Sequence, residues 1–351
     1  MKVAVMHGKR DVRIEDRPMP IPGDNQLVVK IDYCGICGSD VDTFHHGWSH
    51  GNTHPMVLGH EKVGTVYSVG KNVTEYKVGD KLLCGPPSYC EDGCPSCKCG
   101  RPNICLTSWP RTAGLGGPDG GYAEYMLVED PKHTLLVKIP EGTDLKDAVL
   151  FDIFGVSFHG VRISNFRIGD NVVVSGAGPI GLAAISILKA AGANKIIALN
   201  TTTSKFPLIR QYGADYCINV RETKDLAAEI KAICGNDVGA DVTYECAGTN
   251  ESLENCVYHC TKPGGQVMLI GGIKDPMTLV IENFIIHEVD LKTSFVYTPE
   301  EIKMYLDMVN SGKLYLGPMV TKIVSIDDCV KEGLDLKDRT GQIKILIDPS
   351  L

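Results

Sequence analysis

The run Asn171-Val172-Val173-Val174-Ser175 leads straight into Gly176-Ala177-Gly178-Pro179-Ile180-Gly181, and an apolar helical stretch, Ile180 to Ala191, follows. A continuous apolar strand of this kind is buried on both faces, as in a parallel sheet. A strand, a glycine turn and a helix in that order form the start of a doubly wound α/β domain. In a G-x-G-x-x-G turn the first glycine makes the bend, the second lets a pyrophosphate approach the backbone, and the third lets helix and strand pack closely. The free N–H groups and dipole of the helix N-terminus attract phosphate. Gly176, Gly178, Pro179, Ile180 and Gly181 are therefore candidate dinucleotide-binding residues; the competing reading is a tight turn with no ligand. Strands at Lys195–Leu199, Asp241–Tyr244 and Gln266–Ile270 extend the α/β pattern.

The other half reads differently. With 351 residues, two domains are expected. Short strand-like runs at Met1–Met6, Gln26–Tyr33, Lys62–Val69 and Tyr122–Val128, punctuated by Pro22-Gly23 and Val78-Gly79-Asp80, predict an all-β barrel or sandwich with long loops. Helical character begins at Leu145 and runs to Ile163, and one further helix is expected from about Pro299 to Ser311.

A net charge of −8 recommends neither nucleic acid nor an anionic membrane as a partner. No apolar run reaches the roughly 18 residues of a membrane span, and Met1–Arg10 lacks the apolar stretch of a secretory signal, so a cytoplasmic location is the default expectation. In such a compartment 14 cysteines point to metal more than to disulfides. Cys84, Cys90, Cys94, Cys97, Cys99 and Cys105 are clustered; the others are expected to be small buried hydrophobes.

Two metal constellations emerge. Cys90-x₃-Cys94-x₂-Cys97-x₇-Cys105 offers four thiolates in a short loop, the donor set of a closed structural zinc site. Cys99 competes for assignment, but the x₂ and x₇ spacings favour Cys97 and Cys105. The second set is dispersed: Cys37, His60 and Glu61, and Asp152 in Leu150-Phe151-Asp152-Ile153-Phe154. One thiolate, one imidazole and one or two carboxylates suit a zinc site with an exchangeable position. Spacing alone does not assemble them, and a buried His60–Glu61 pair is the bland alternative.

Taken together, Cys34-Gly-Ile-Cys37-Gly-Ser39-Asp40, Gly59-His60-Glu61, the cysteine lobe, Gly121-Tyr-Ala-Glu124, the glycine turn and Lys262-Pro-Gly-Gly265 resemble the zinc-containing medium-chain dehydrogenase/reductase family over nearly the whole chain. Phe151-Asp152-Ile-Phe154-Gly155 is most similar to threonine dehydrogenases. The resemblance implies a GroES-like β-barrel catalytic domain (1–150, returning at 293–351) and a Rossmann domain (151–292), with the active site in the cleft and a dimeric or tetrameric homo-oligomer. It implies zinc ligation by Cys37, His60 and Glu61, with Asp152 as fourth ligand or as the holder of a zinc-bound water, and Cys34 as a packed bystander. It implies cofactor contacts at Ile180, Asn200, Thr201 and Lys205, and near the nicotinamide at Ile270, Gly271, Ser294 and Phe295. The expected reaction is hydride transfer between a secondary alcohol, or its ketone, and NAD(P), with two zinc ions per chain, zinc acting as Lewis acid and Ser39 passing the proton outward.

The strand that should end in a ribose-binding acidic residue ends in Asn200, followed by Thr201, Thr202, Thr203, Ser204 and Lys205. That composition tilts the expectation toward NADP; Asn200 holding the ribose of NAD is the alternative. Two departures from the family matter. The histidine usual five residues after the ligand cysteine is Asp42, so the relay ends in a carboxylate or is rerouted through His45 or His46, unless Asp42 is a solvated loop residue. Where polyol dehydrogenases carry arginine this chain has Val296, which argues against a sorbitol-type substrate. The loop of His45, His46, Trp48, His50 and His54 is expected to be solvated or packed, with substrate or adventitious metal as the alternative. A reductase of C=C or imine bonds on this scaffold, and a dinucleotide-sensing zinc protein, are the competing functions.

Overall fold

The computed structural model describes residues 1–47, 55–90 and 93–351. They form two compact units, 1–152 with 298–310 and 318–351, and 153–297 with 311–317. The sequence reading put the second crossing at 292/293 and took 293–351 as one return segment; the segment 311–317 instead packs with the second unit, where Ser186 donates to the Tyr315 carbonyl (2.8 Å) and Tyr212 to that of Leu316 (2.7 Å).

The first unit is built from β1 (Lys2–Gly8), β2 (Asp11–Asp16), β3 (Leu27–Gly35), α1 (Gly38–His46), β4 (Met56–Val57), β5 (Glu61–Val69), β6 (Lys81–Ser88), α2 (Pro95–Lys98), β7 (Tyr125–Val128), β8 (Thr134–Lys138) and α3 (Leu145–Ala148). The second holds most of α4 (Phe151–Ile163), then β9 (Asn171–Ser175), α5 (Pro179–Ala190), β10 (Lys195–Asn200), α6 (Phe206–Gln211), β11 (Tyr216–Asn219), α7 (Leu226–Cys234), β12 (Ala240–Glu245), α8 (Asn250–Asn255), β13 (Thr261–Leu269), α9 (Ile281–His287) and β14 (Asp290–Thr293). The chain then returns to the first unit through α10 (Pro299–Asn310), β15 (Val320–Val324) and β16 (Lys344–Ile347).

In the first unit a three-stranded sheet (β2-β1-β4) and a seven-stranded sheet (β15-β16-β3-β5-β6-β8, with β7 on β3) share one apolar core. Alternation sorts the faces: in β3 Leu27, Val29 and Ile31 join that core, whereas on the other face Val28 is buried outside it and Lys30 is exposed. Strand β3 is the pivot of the site. Its last residue, Gly35, pairs with Glu61 on one side and Leu346 on the other, which brings three distant segments to one edge.

The second unit is a six-stranded parallel sheet, β11-β10-β9-β12-β13-β14. The apolar β9 lies at its centre, and Val172, Val173 and Val174 are fully buried. Strand order reverses between β9 and β12, the switch point at which such sheets bind ligands.

Three local expectations give way. The stretch 145–163 is two helices: the Asp144 side chain caps α3 at the Lys146 N–H (2.9 Å), and α4 starts anew at Phe151. Tyr122–Glu124 bond instead to Leu58, Lys2, Ala4 and Ile31 ahead of β7. The loop expected from His45 onward begins in a helix: residues 38–46 form α1, because Cys37 and Asp40 build a reciprocal cap at its start. His45 and His46 thus close a helix; Trp48, His50 and His54 lie outside the described residues.

Candidate active site

Four side chains meet in the first unit. Ligand atoms of Cys37, His60, Glu61 and Asp152 all lie within 4.8 Å of one another. Cys37 caps α1, His60 and Glu61 stand at the entry to β5, and Asp152 sits in the first turn of α4. His60, Glu61 and Asp152 are buried. The backbone just before them demands glycine: Gly59 has φ +98°, and a Cβ there would collide with the Tyr122 ring and lie 2.7 Å from Cys34 Sγ.

A supporting layer fixes this set. Asp40, 1% exposed, accepts through Oδ2 from the Cys37 N–H (2.9 Å) and the Tyr122 hydroxyl (2.8 Å), and its Oδ1 faces His60 Nδ1 at 3.5 Å. With Nδ1 turned to a carboxylate, Nε2 is the ring nitrogen left for a metal, the usual carboxylate–histidine–metal arrangement. Burial depresses the His60 pKa, but Asp40 and Cys37 together outweigh it and hold the imidazole well above its ordinary value. Lys344, also buried, pairs with Glu61 Oε2 and donates to the Ile36 carbonyl (3.1 Å). Burial raises the Glu61 carboxyl and Lys344 pulls it back; burial lowers the Lys344 ammonium, but Glu61 keeps it raised.

This arrangement fits a zinc ion. Unmetallated, it crowds a thiol, an imidazole and two carboxylates, with Asp40 behind them and Lys344 paired to Glu61; a dication adds the positive charge that the thiol and the remaining carboxylates call for. Sulfur, nitrogen and oxygen donors with carboxylates able to exchange are the makeup of an open zinc site.

The second constellation is also assembled. Cys90, Cys94, Cys97 and Cys105 place their sulfurs within 4.8 Å, with Cys90–Cys97 at 3.7 Å and Cys94–Cys105 at 4.0 Å. Cys99 is exposed and outside the set; Cys34 is buried and also outside both sets. Backbone N–H groups of Cys97 and Leu106 bring the Cys94 thiol down to about 6, whereas burial pushes Cys97 up to about 12. Four such sulfurs become thiolates together only around a cation.

In the second unit a cavity of about 380 Å³ opens at the carboxyl ends of β9 to β12. Gly176, Gly178, Asn200 and Thr201 line it, as do Arg221 and Thr249, which the sequence did not single out. Gly176 has φ +97°, and a Cβ there would lie 2.7 Å from the Ala247 nitrogen. Pro179 opens α5, with Ile180 and Gly181 in its first turn. Lys205 ends a short 3₁₀ turn and is not part of the lining. The Asn200 amide is folded back onto the Thr202 carbonyl (2.8 Å) and Oγ1 (3.2 Å).

Ile270 and Gly271 donate their N–H groups to the Glu245 carbonyl (2.9 Å each), while Glu245 Oε1 accepts from Ala247 and Gly248 (2.8 Å each). Fully buried Glu245, raised by desolvation, thus ties two segments of the sheet's rim together. Ser294 extends the ladder by bonding to Leu269 O (3.0 Å), and Phe295 is about half exposed. Asp40, Tyr122, Lys344, Glu245 and Arg221 carry no role in the sequence reading. Asp40 and Tyr122 stood inside recognised motifs; Lys344 and Arg221 had no local signal at all.

Residues 23–141 match the model of the alcohol dehydrogenase GroES-like domain, and 179–311 that of the zinc-binding dehydrogenases. The chain is 34% identical to "Probable D-xylulose reductase A" of Arthroderma otae, over 98% of this chain and 96% of the relative. It is 31% identical to (R,R)-butanediol dehydrogenase of Neisseria gonorrhoeae over the full length of both. A zinc-binding dehydrogenase of Sinorhizobium meliloti, solved with NADP bound, superposes with a TM-score of 0.90 at 27% identity, over 99% of each chain. The chain belongs to the zinc-containing medium-chain dehydrogenase family. It is an oxidoreductase that acts on CH–OH donors.

Proposed function

We propose that the chain exchanges a hydride between a secondary alcohol, or its ketone, and NAD(P), with two zinc ions per chain. The observation that carries this reading is the convergence of Cys37, His60, Glu61 and Asp152 within 4.8 Å. Cys37, His60 and Glu61 hold the catalytic zinc, with Asp152 as fourth ligand or as the anchor of a water. Cys90, Cys94, Cys97 and Cys105 hold a structural zinc. A sensor needs no such exchangeable set, and the named relatives are reductases and dehydrogenases of polyols and diols, not C=C or imine reductases.

When bound, the zinc supplies Lewis acidity to the alcohol oxygen and the nicotinamide accepts the hydride. The chain's own work is to fix the ligands and move a proton. Ser39 Oγ is buried in the first turn of α1, with no hydrogen-bond partner among the described residues. Ser39, Asp42 and His46 stand at i, i+3 and i+7, one face of that helix. Asp42 Oδ1 meets His46 Nδ1 at 3.0 Å, and side-chain exposure rises from 26% at Asp42 to 73% at His46. We assign the outward route to this face, from Ser39 Oγ, which makes no direct hydrogen bond to Asp42, across to the Asp42–His46 pair and solvent, in place of the missing histidine.

The cofactor pocket is formed around Gly176, Gly178, Asn200 and Thr201, and the lack of a carboxylate at the end of β10 supports NADP over NAD. Ile180, Ile270, Gly271, Ser294 and Phe295 remain our assignments for the rest of the cofactor. Val296, where polyol dehydrogenases carry arginine, supports a diol or a less polar secondary alcohol over a polyol.

The test is reduction of NAD⁺ and NADP⁺ side by side against secondary alcohols, vicinal diols, polyols and threonine. Turnover with a diol or simple secondary alcohol is expected. Oxidation of sorbitol in preference to every diol contradicts the role given to Val296, and no turnover with any of them contradicts the function.

A further inference from the structure

We infer that Arg221 is the residue that reads a phosphomonoester on the adenosine 2′-oxygen, and so decides between NADP and NAD; this rests on the dehydrogenase reading above.

The ladder between β10 and β11 pairs Asn200 with Asn219, and the Val220 N–H donates to the Asn200 carbonyl (3.0 Å). Just beyond, the Asn219 side chain accepts from the Arg221 N–H (3.1 Å), fixing the turn from which Arg221 projects. Arg221 therefore stands beside the tip of β10, where a ribose-binding carboxylate would sit in a chain selecting NAD. It lines the cavity together with Asn200 and Thr201, whereas Lys205, the cation suggested by sequence, does not.

The guanidinium is exposed and makes no ion pair or side-chain hydrogen bond among the described residues. Its fork geometry suits bidentate phosphate recognition better than an ammonium does. Asn200 offers no donor to a 2′-phosphate, because its Nδ2 is spent on Thr202 and its Oδ1 can only accept. Glu251, in the first turn of α8, is the one carboxylate in the lining, and no ion pair joins it to Arg221 among the described residues.

The experiment is fluorescence titration of the zinc-loaded protein with NADPH and with NADH, for wild type, Arg221→Ala, Arg221→Lys and Lys205→Ala. Wild type is expected to prefer NADPH. Arg221→Ala should weaken NADPH at least ten-fold and leave NADH within two-fold, Arg221→Lys should fall between, and Lys205→Ala should affect the two dinucleotides alike. Equal loss for both dinucleotides in Arg221→Ala, no loss in that variant, or a preference lost only in Lys205→Ala overturns the assignment. Binding of both dinucleotides by wild type without discrimination overturns it while leaving the dehydrogenase intact. Binding of neither overturns the dehydrogenase reading as well.

Discussion

Glu61 is held between opposing demands, because it is buried beside a thiol and two carboxylates yet has to stay ionised to bind a cation. Lys344 resolves this through the buried ion pair. A carboxylate left unpartnered at such depth costs about 3–5 kcal/mol, so Lys344 is as much a part of the site as any ligand. Asp42 has a different task, coupling a buried hydroxyl to solvent through His46. Asp42→Asn is expected to lower kcat about ten-fold near neutral pH, at or below the low end of general acid–base contributions. It should also change the pH profile of kcat while the KM for the dinucleotide stays the same. An unaltered profile removes Asp42 from the route. The four candidate ligands were each visible in a short motif, but spacing alone did not assemble them; the fold brings their ligand atoms within 4.8 Å of one another. Asp40 was visible but silent, since nothing local says that its two oxygens divide between Cys37 and His60. Lys344 was invisible, because only the pairing of β16 with β3 brings it to Glu61.

At the scale of elements, the cysteine lobe is the clearest case of sequence carrying structure. Among the described residues it contains one four-residue helix, α2, and little else that is regular, which is why we propose that a metal holds it in one shape. Chelator-treated protein should be alkylated by iodoacetamide at pH 7 first at Cys94, whose thiol lies at about 6. In the zinc-loaded protein Cys94 should be protected while exposed Cys99 still reacts. Equal labelling of Cys94 with and without chelator, read by peptide mass spectrometry, would show that no metal is held there. Helix α1 was less legible than the lobe. Its reciprocal cap is made by a cysteine, a residue that sequence rules do not count among helix starters. Likewise α3 and α4 read as one helix because apolar residues recur across the whole stretch; the break that starts α4 at Phe151, with Asp152 in its first turn, leaves no mark in hydrophobic periodicity.

At the scale of the molecule, the two-unit organisation followed from the change of pattern near residue 145, while the packing of 311–317 with the second unit depended on contacts with α5 and Tyr212. No helix among the described residues is long and apolar enough to cross a membrane. The second unit ends in an edge strand, β14, exposed along its length, next to Ile281, Ile285 and Ile286 of α9, which are each more than 60% exposed. The exposed isoleucines of α9 make an apolar patch of the kind that is normally covered, and we propose that a second copy of the chain covers it. Light scattering should give the mass of a dimer or tetramer, and Ile286→Asp should lower it. A wild-type monomer would refute that assignment.

The central claim is that Cys37, His60, Glu61 and Asp152 form the catalytic zinc site. The direct measurement is zinc content, dinucleotide binding and turnover of Cys37→Ala beside wild type. Wild type should hold two zinc ions per chain; the variant should hold one, bind the dinucleotide as wild type does, and oxidise no alcohol. A variant that turns over normally would contradict the account.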